Sequence, residues 1–447
     1  MLRKRIKTLF ACTLSTLLLV CDLRADSLSF PGSDAATVGL MVVDLQNDRI
    51  VCAENEAKAM IPASILKSVT TASALSLKGA DYSFKTDVVL TGAITGTAAS
   101  GNLVVKASTD PTINSQYFPE CAGFAEAVIN ALRQRGITEI KGDIIIDDTW
   151  FADPGQNPQW AVGDIGWSYG AGTFGFNYCD NIFSLNTQTR ETQPEIPNLD
   201  ITLTRTSTPV DIIRGIDSDN IVVVGDKVGV KGYTVQSTMS NPGIVLRAEL
   251  RKKLAAAGIK LGGAKVAPAG ETVIYTRISP RLEEIMQSLM FRSDNMMAET
   301  VLRTLAFGDT RDNAIKAELN FWNSKGISTS GVRLFDGSGL ARADRVTPRF
   351  MAEVLKFMAK SSNASTYVSF FPKVGLQGTV QGLLAKSRLK GSIALKSGSI
   401  NGVQCFAGYR LNTDGRPTHV VVIMVNNFFC SRTTLRNVIE NWLLEIF

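Results

Sequence analysis

The sequence predicts an α+β fold in which a single antiparallel sheet is closed by the two ends of the chain, while a strand-rich insertion fills the middle. Three observations predict it. The stretch "TVGLMVVDLQNDRIVCAENE", from Thr37, is two β-rich runs flanking Gln46-Asn47-Asp48, the pattern of a hairpin. The other end mirrors it: "GSIALKSGS", "GVQCFAGYRL" and "HVVVIMVNN" read as three antiparallel strands, the last two joined by a turn at "NTDGRPT". Leu435, Val438, Ile439, Trp442, Leu443 and Ile446 then recur at helical spacing and predict a terminal helix with one apolar face. Five strands from opposite ends, with a helix to cover one face, imply one sheet with everything between as an excursion.

The excursion runs from roughly Asp81 to Val273 and is punctuated by glycine, as in "GDIIIDDTWF" and "IVVVGDKVGVKGYTV". One helical run, "PGIVLRAELRKKLAAAG", is stopped by Gly258. Helical texture returns in "PRLEEIMQSLMFRSDNMMAETVLRTLAFG", ended by Gly308, and no internal repeat is visible. The expected division is 26–84 with 274–447 as the main domain, 85–160 with 240–273 as a first inserted domain, and 161–239 as a second.

The chain opens with four basic residues and an apolar run from Leu9 to Cys21, followed by Leu23-Arg24-Ala25, which reads as a cleaved secretory leader over 1–25. That implies a periplasmic or secreted protein, with lipidation of Cys21 and attachment to the membrane surface left open. Without the leader the formal charge falls from +6 to +2, which argues against a nucleic-acid partner. The remaining cysteines, Cys52, Cys121, Cys179, Cys405 and Cys430, are scattered and odd in number. They form neither a disulfide framework nor a zinc pattern, so no metal or cofactor is expected.

The chemistry begins at "IPASILKSV". Ser64 and Lys67, three residues apart on a helix, share a face and bring hydroxyl and amine within hydrogen-bond range. The chain has one histidine, His419, so a serine nucleophile needs another base. Burial and a neighbouring cation bring a lysine toward that task. The pattern alone is weak, since Ser387 to Lys390 repeats it. Two further elements follow in order. Ser293-Asp294-Asn295 interrupts a helical apolar run and offers a relay hydroxyl and an amide; Ser218, Ser361 and Ser399 open other Ser-x-Asn matches, but none breaks such a run. Lys396-Ser397-Gly398 on an edge strand supplies a cation, a hydroxyl and room for substrate backbone, with the N–H groups of Ser399 and Ser64 as an oxyanion hole.

Ser-x-x-Lys, Ser-x-Asn and Lys-[Ser/Thr]-Gly in this order resemble the signature of penicillin-recognising serine enzymes. The long gap from Lys67 to Ser293 narrows the resemblance to the D-alanyl-D-alanine carboxypeptidase/endopeptidase family of class C low-molecular-mass penicillin-binding proteins, peptidase S13. "RSDNMMAETVLR", "FDGSGLARADRVTP" and "GLQGTVQGLL" are similar to that family as well. Ser397 stands where the family more often has threonine, and "KASTDPTI" replaces a glycine-rich stretch. The resemblance implies a transpeptidase-like domain, a five-stranded antiparallel sheet flanked by helices, interrupted by two smaller β-rich domains. It implies Ser64, Lys67, Ser293, Asn295 and Lys396 as catalytic, Ser397, Gly398 and Ser399 as substrate-binding, and Asp164, in "QWAVGDIGW", as the contact for a free amino group of the stem peptide. The implied partners are peptidoglycan stem peptides and β-lactams, with homodimerisation left open. A β-lactamase and a catalytically silent scaffold on the same plan stand as alternatives.

Overall fold

The computed structural model describes residues 27–264 and 270–447; the leader, Cys21 included, lies outside them. The N-terminal hairpin is β1 (Thr37–Asp44) and β2 (Ile50–Glu54), and the C-terminal meander is β3 (Ile393–Ile400), β4 (Val403–Leu411) and β5 (Pro417–Asn426). They join in one sheet in the order β3-β4-β5-β1-β2. Every pairing is antiparallel, and β1 meets β5 with Leu40 opposite Ile423 and Val42 opposite Val421.

Both faces of the central strands are covered, which is why they read as continuous apolar runs. Met41, Val43, Val420, Val422 and Met424 enter the core beneath the helices, while Leu40, Val42, Val421, Ile423 and Val425 enter a second core on the opposite face. That second core is closed by α5 (Arg432–Ile446), which buries Leu435, Ile439, Trp442 and Leu443. On the first face α1 (Leu66–Lys78) is central, with every residue from Leu66 to Leu75 buried. It packs against α2 (Leu282–Arg292), α3 (Asn295–Arg303) and α4 (Pro348–Ala359).

The helical run that ends at Gly308 is two helices with a break at Ser293. Its φ of 63° is left-handed and terminates α2, and the Asp294 side chain restarts the chain as α3 by accepting from the Met297 N–H at 2.9 Å. The break projects Ser293 toward Lys396 of the edge strand β3 and Asn295 toward Lys67 of α1.

Among the described residues the insertion carries two four-stranded and two three-stranded sheets. The strand Glu271–Ile278 runs across the expected boundary at 273 and, by pairing with Lys85–Thr91, belongs to the insertion. Its helix Pro242–Ala256 ends, as the glycine predicted, just before Gly258, whose φ is +74°. One continuous core joins both parts of the insertion, with Phe124, Leu132, Ile144 and Leu250 in the same cluster as Phe183, Ile212, Val223 and Val235. No described helix is long and apolar enough to cross a membrane. Cys52, Cys121, Cys179, Cys405 and Cys430 are all unpaired.

Candidate active site

Ser64 sits in a tight turn rather than in the first turn of an α-helix: a 3-10 turn over Ala63–Ile65 leads into α1. The cause is Ala63, whose φ of 47° is left-handed, an uncommon and strained conformation for a residue with a Cβ. Gly339 holds it there. A Cβ at that position would lie 2.0 Å from the Ala63 carbonyl oxygen, so only glycine lets the two segments touch.

One helical turn on, Lys67 is fully buried. Its Nζ donates to Ser64 Oγ at 2.9 Å, to Asn295 Oδ1 at 2.6 Å and to the Ser338 carbonyl at 2.7 Å. Three acceptors around one nitrogen suit both protonation states. A neutral amine keeps two hydrogens for Asn295 and Ser338 and turns its lone pair toward the Ser64 hydroxyl. Burial pushes the amine down from its ordinary 10.5 to about 8, against the opposing pull of Asp336, Asp294 and Glu299.

Lys396 reaches the same cleft from β3, donating to Ser293 Oγ at 2.8 Å and to the Ser397 carbonyl at 2.7 Å. The expectation of a fixed cation here meets a fully buried amine. Burial first, and the charge of Lys67 second, hold it well below the ordinary lysine range. Ser397 Oγ shares a 2.7 Å hydrogen bond with Thr379 Oγ1. Gly398 is pressed against the turn that carries Ser64: a Cβ there would lie 2.8 Å from the Pro62 carbonyl oxygen and 2.9 Å from the Ser64 nitrogen. The edge strand and the Ser64 N–H are therefore neighbours, as a two-amide oxyanion hole requires. Ser64, Ser293, Thr379, Ser397 and Ser399 line one cavity of about 470 Å³.

Behind these groups lies a buried layer that the motifs do not announce. Glu299, one turn beyond Asn295 in α3, accepts the N–H groups of Gly337 (2.8 Å) and Ser338 (3.1 Å) and pairs with Arg311 at 3.2 Å. It thereby fixes the loop whose carbonyl receives Lys67. Burial, then Asp336, push its carboxyl up to about 7. Asp336 accepts from the Gly339 N–H (2.6 Å), the Ala341 N–H (2.7 Å) and the indole of Trp160 (2.8 Å).

Trp160 belongs to the insertion, and it is not alone. Asn157 Nδ2 donates to the Phe335 carbonyl at 2.9 Å, Thr173 and Thr300 share a hydroxyl hydrogen bond of 2.5 Å, and the Tyr169 carbonyl accepts from Asn295 Nδ2 at 2.7 Å. The insertion is a wall of the cleft that holds Lys67 and Asn295. Asp164 belongs to the same insertion and is half-buried, its carboxylate accepting from the Tyr169 hydroxyl at 3.0 Å. It is one tyrosine away from Asn295 and does not line the cavity of Ser64. His419 sits at the far end of β5, where it is paired in register with Asp44 and faces the ring of Phe447 at 5.3 Å. Asn426, at the near end, touches Ile61, so β5 itself separates the histidine from the serine by about 23 Å.

The cleft gathers one buried amine against the Ser64 hydroxyl and a second against the Ser293 hydroxyl around a single cavity. The chain belongs to the D-Ala-D-Ala carboxypeptidase 3 (S13) family, whose model matches residues 25–443. It is similar to a D-alanyl-D-alanine carboxypeptidase, DacB, of Haemophilus influenzae, with 24% identity over 86% of this chain and 84% of that one. A D-alanyl-D-alanine carboxypeptidase of Actinomadura sp. is also 24% identical, over 88% of this chain and 78% of its own. Among solved structures, penicillin-binding protein 4 of Haemophilus influenzae superposes with a TM-score of 0.80 at 21% identity, covering 94% of this chain and 99% of that one.

Proposed function

We infer that the chain is a serine-type D-Ala-D-Ala carboxypeptidase and endopeptidase that cleaves peptidoglycan stem peptides through an acyl-enzyme. The observation that carries this reading is the 2.9 Å contact between Ser64 Oγ and an amine held at about 8 by burial. In the proposed reaction Ser64 Oγ attacks the carbonyl carbon of the penultimate D-alanine while Lys67 Nζ takes the hydroxyl proton. The oxyanion is held by the N–H groups of Ser64 and Ser399. Ser293, itself hydrogen-bonded by Lys396, gives its hydroxyl proton to the departing amine and takes up the one held by Lys67, and the C–N bond breaks to leave the shortened peptide as an ester on Ser64. Asn295 orients the substrate amide, and Ser397, with room granted by Gly398, takes the terminal carboxylate. Water then attacks the ester and returns the proton to Ser64.

Family membership, and the hydrogen bond to Tyr169, whose carbonyl engages Asn295, support Asp164 as a contact for the amino group of the stem peptide's diamino acid. The four small sheets support the division of the insertion into two β-rich domains. The basic, apolar N-terminus supports export to the periplasm.

A β-lactam mimics the scissile peptide, so benzylpenicillin is expected to add its full mass to the protein, at Ser64, in intact-mass spectrometry. Ser64→Ala should remain unmodified. An adduct that survives Ser64→Ala would refute the assignment of the nucleophile.

A further inference from the structure

The cavity beside Ser64 has a second lining that none of these steps uses. Arg432 and Arg436, one turn apart at the start of α5, line it together with Ser397, Ser399 and Gln404. Arg432 donates to Ser399 Oγ, to Gln404 Oε1 at 3.1 Å and to the carbonyls of Ile400 (2.6 Å) and Val403 (3.3 Å). Every one of these acceptors is neutral. Arg436 gives Nε to Glu440 at 3.0 Å. Its two terminal nitrogens lie over the backbone of Gly382, where a Cβ would stand 3.0 and 3.2 Å from them. No hydrogen bond or ion pair among the described residues engages those terminal nitrogens.

Like charges one turn apart on a helix repel each other, and an anion bound between them reverses the sign. Ser397 and Ser399 point to the same side of β3 and are about 7 Å apart, within reach of an arginine that already touches the second. The charge is also of the right kind. Lys67 and Lys396 are buried amines whose protonation burial disfavours, whereas charge that persists across the working pH range is a property of guanidinium groups.

We propose that Arg432 and Arg436 are specificity-determining residues that receive the carboxylate of the leaving residue, whether the departing C-terminal D-amino acid or the ring carboxylate of a β-lactam. Ser397 and Thr379 supply hydroxyls to that carboxylate, and the two guanidiniums supply the charge.

The test compares release of the last residue from an N-acetylated peptide ending in D-Ala-D-Ala with release from the same peptide ending in a carboxamide. The full chain, Arg432→Gln, Arg436→Gln and Arg432→Lys are assayed side by side. The wild type should prefer the acid. In the glutamine variants kcat/KM on the acid should fall about ten- to a hundredfold, mainly through KM, so that the acid-to-amide ratio collapses toward one, with partial recovery in Arg432→Lys. Arg432 also ties the β3–β4 turn, so a purely structural role would lower both substrates alike and keep the ratio. Arg436→Gln leaves that turn untouched and serves if Arg432→Gln does not fold. A ratio preserved in both glutamine variants overturns the proposal. The proposal rests on Ser64 as nucleophile, and a wild type that benzylpenicillin does not label would fail that reading instead.

Discussion

Asn295 joins Lys67 to Tyr169: its side-chain oxygen accepts from the lysine at 2.6 Å while its nitrogen donates to the tyrosine carbonyl at 2.7 Å. The amide is thus oriented by the insertion and presents only its neutral end to the base. Asn295→Asp reverses both conditions. A carboxylate so near Nζ should raise the lysine by about one to three pH units, and the Tyr169 carbonyl loses its donor. Penicillin acylation at pH 7 is expected to fall at least tenfold and to recover in part at higher pH. A pH profile that coincides with the wild type would show that Asn295 does not tune the base.

Acylation by the wild type should rise with pH through a midpoint near 8 and level off about one pH unit higher. The sign follows from the role: the base works unprotonated, and its amine is lowered from 10.5 to about 8. About a tenth of the lysines are then ready at pH 7, against fewer than one in a thousand for an unshifted amine. Second-order rates with a fluorescent penicillin between pH 6 and 9 check this, and a profile with no acid limb would contradict it.

Gly398→Ala tests the close approach of β3 to the nucleophile. The added methyl would meet the Pro62 oxygen and the Ser64 nitrogen at under 3 Å, so strand or turn must move. A displacement of about 1 Å costs on the order of a hundredfold in rate. Overpacking of this kind costs about 1–3 kcal/mol. The expected result is a protein that still unfolds cooperatively, with a lower melting temperature and severely slowed acylation.

Glu318, on the helix Arg311–Ser324, is buried, and the hydroxyl beside it, Ser73, already accepts from the Trp322 indole at 2.9 Å. Burial pushes its carboxyl from 4.5 up to about 8. A raised folded-state value means that the folded chain holds a proton the unfolded chain releases. Its contribution is therefore present below about 4.5 and is lost as pH climbs to about 8. Glu318→Gln, which has no proton to lose, should flatten that slope and gain on the wild type by a few kcal/mol at pH 8. Urea unfolding at pH 5.5 and 8 measures it; equal slopes in the two proteins would sink the idea.

The convergence of the motif side chains on one cleft was legible because their residue types and order are distinctive. Ser64 and Lys67 are set by helical spacing, Ser293 and Asn295 by a polar break in an apolar run, and Lys396 to Gly398 by their place on a predicted strand. The strands of the main sheet were legible from apolar runs bounded by turns. What holds the site in shape was not. The Tyr169 and Ser338 carbonyls are backbone atoms, which any residue carries, and their position depends on how a distant insertion folds back. Glu299 did leave a signal: an acid one turn beyond Asn295 in a helix that is otherwise buried. Arg432 and Arg436 did not, because an arginine on a terminal helix reads as solvated surface. The insertion's shorter strands, such as Ile94–Thr95 and Ala98–Ala99, are too brief for a periodicity to show.

The pairing of β1 with β5 also dictates when this protein can exist as such. Its first strand has no permanent partner on one side until its last strand has been made, so a nascent chain carries an open apolar edge through nearly all of its synthesis. Contacts of such long sequence separation fold slowly and leave that edge available to other chains meanwhile. Loss of even the final few dozen residues would remove the centre of the sheet, so that a truncated chain is expected to need a chaperone or a protease rather than to survive as a weakened enzyme.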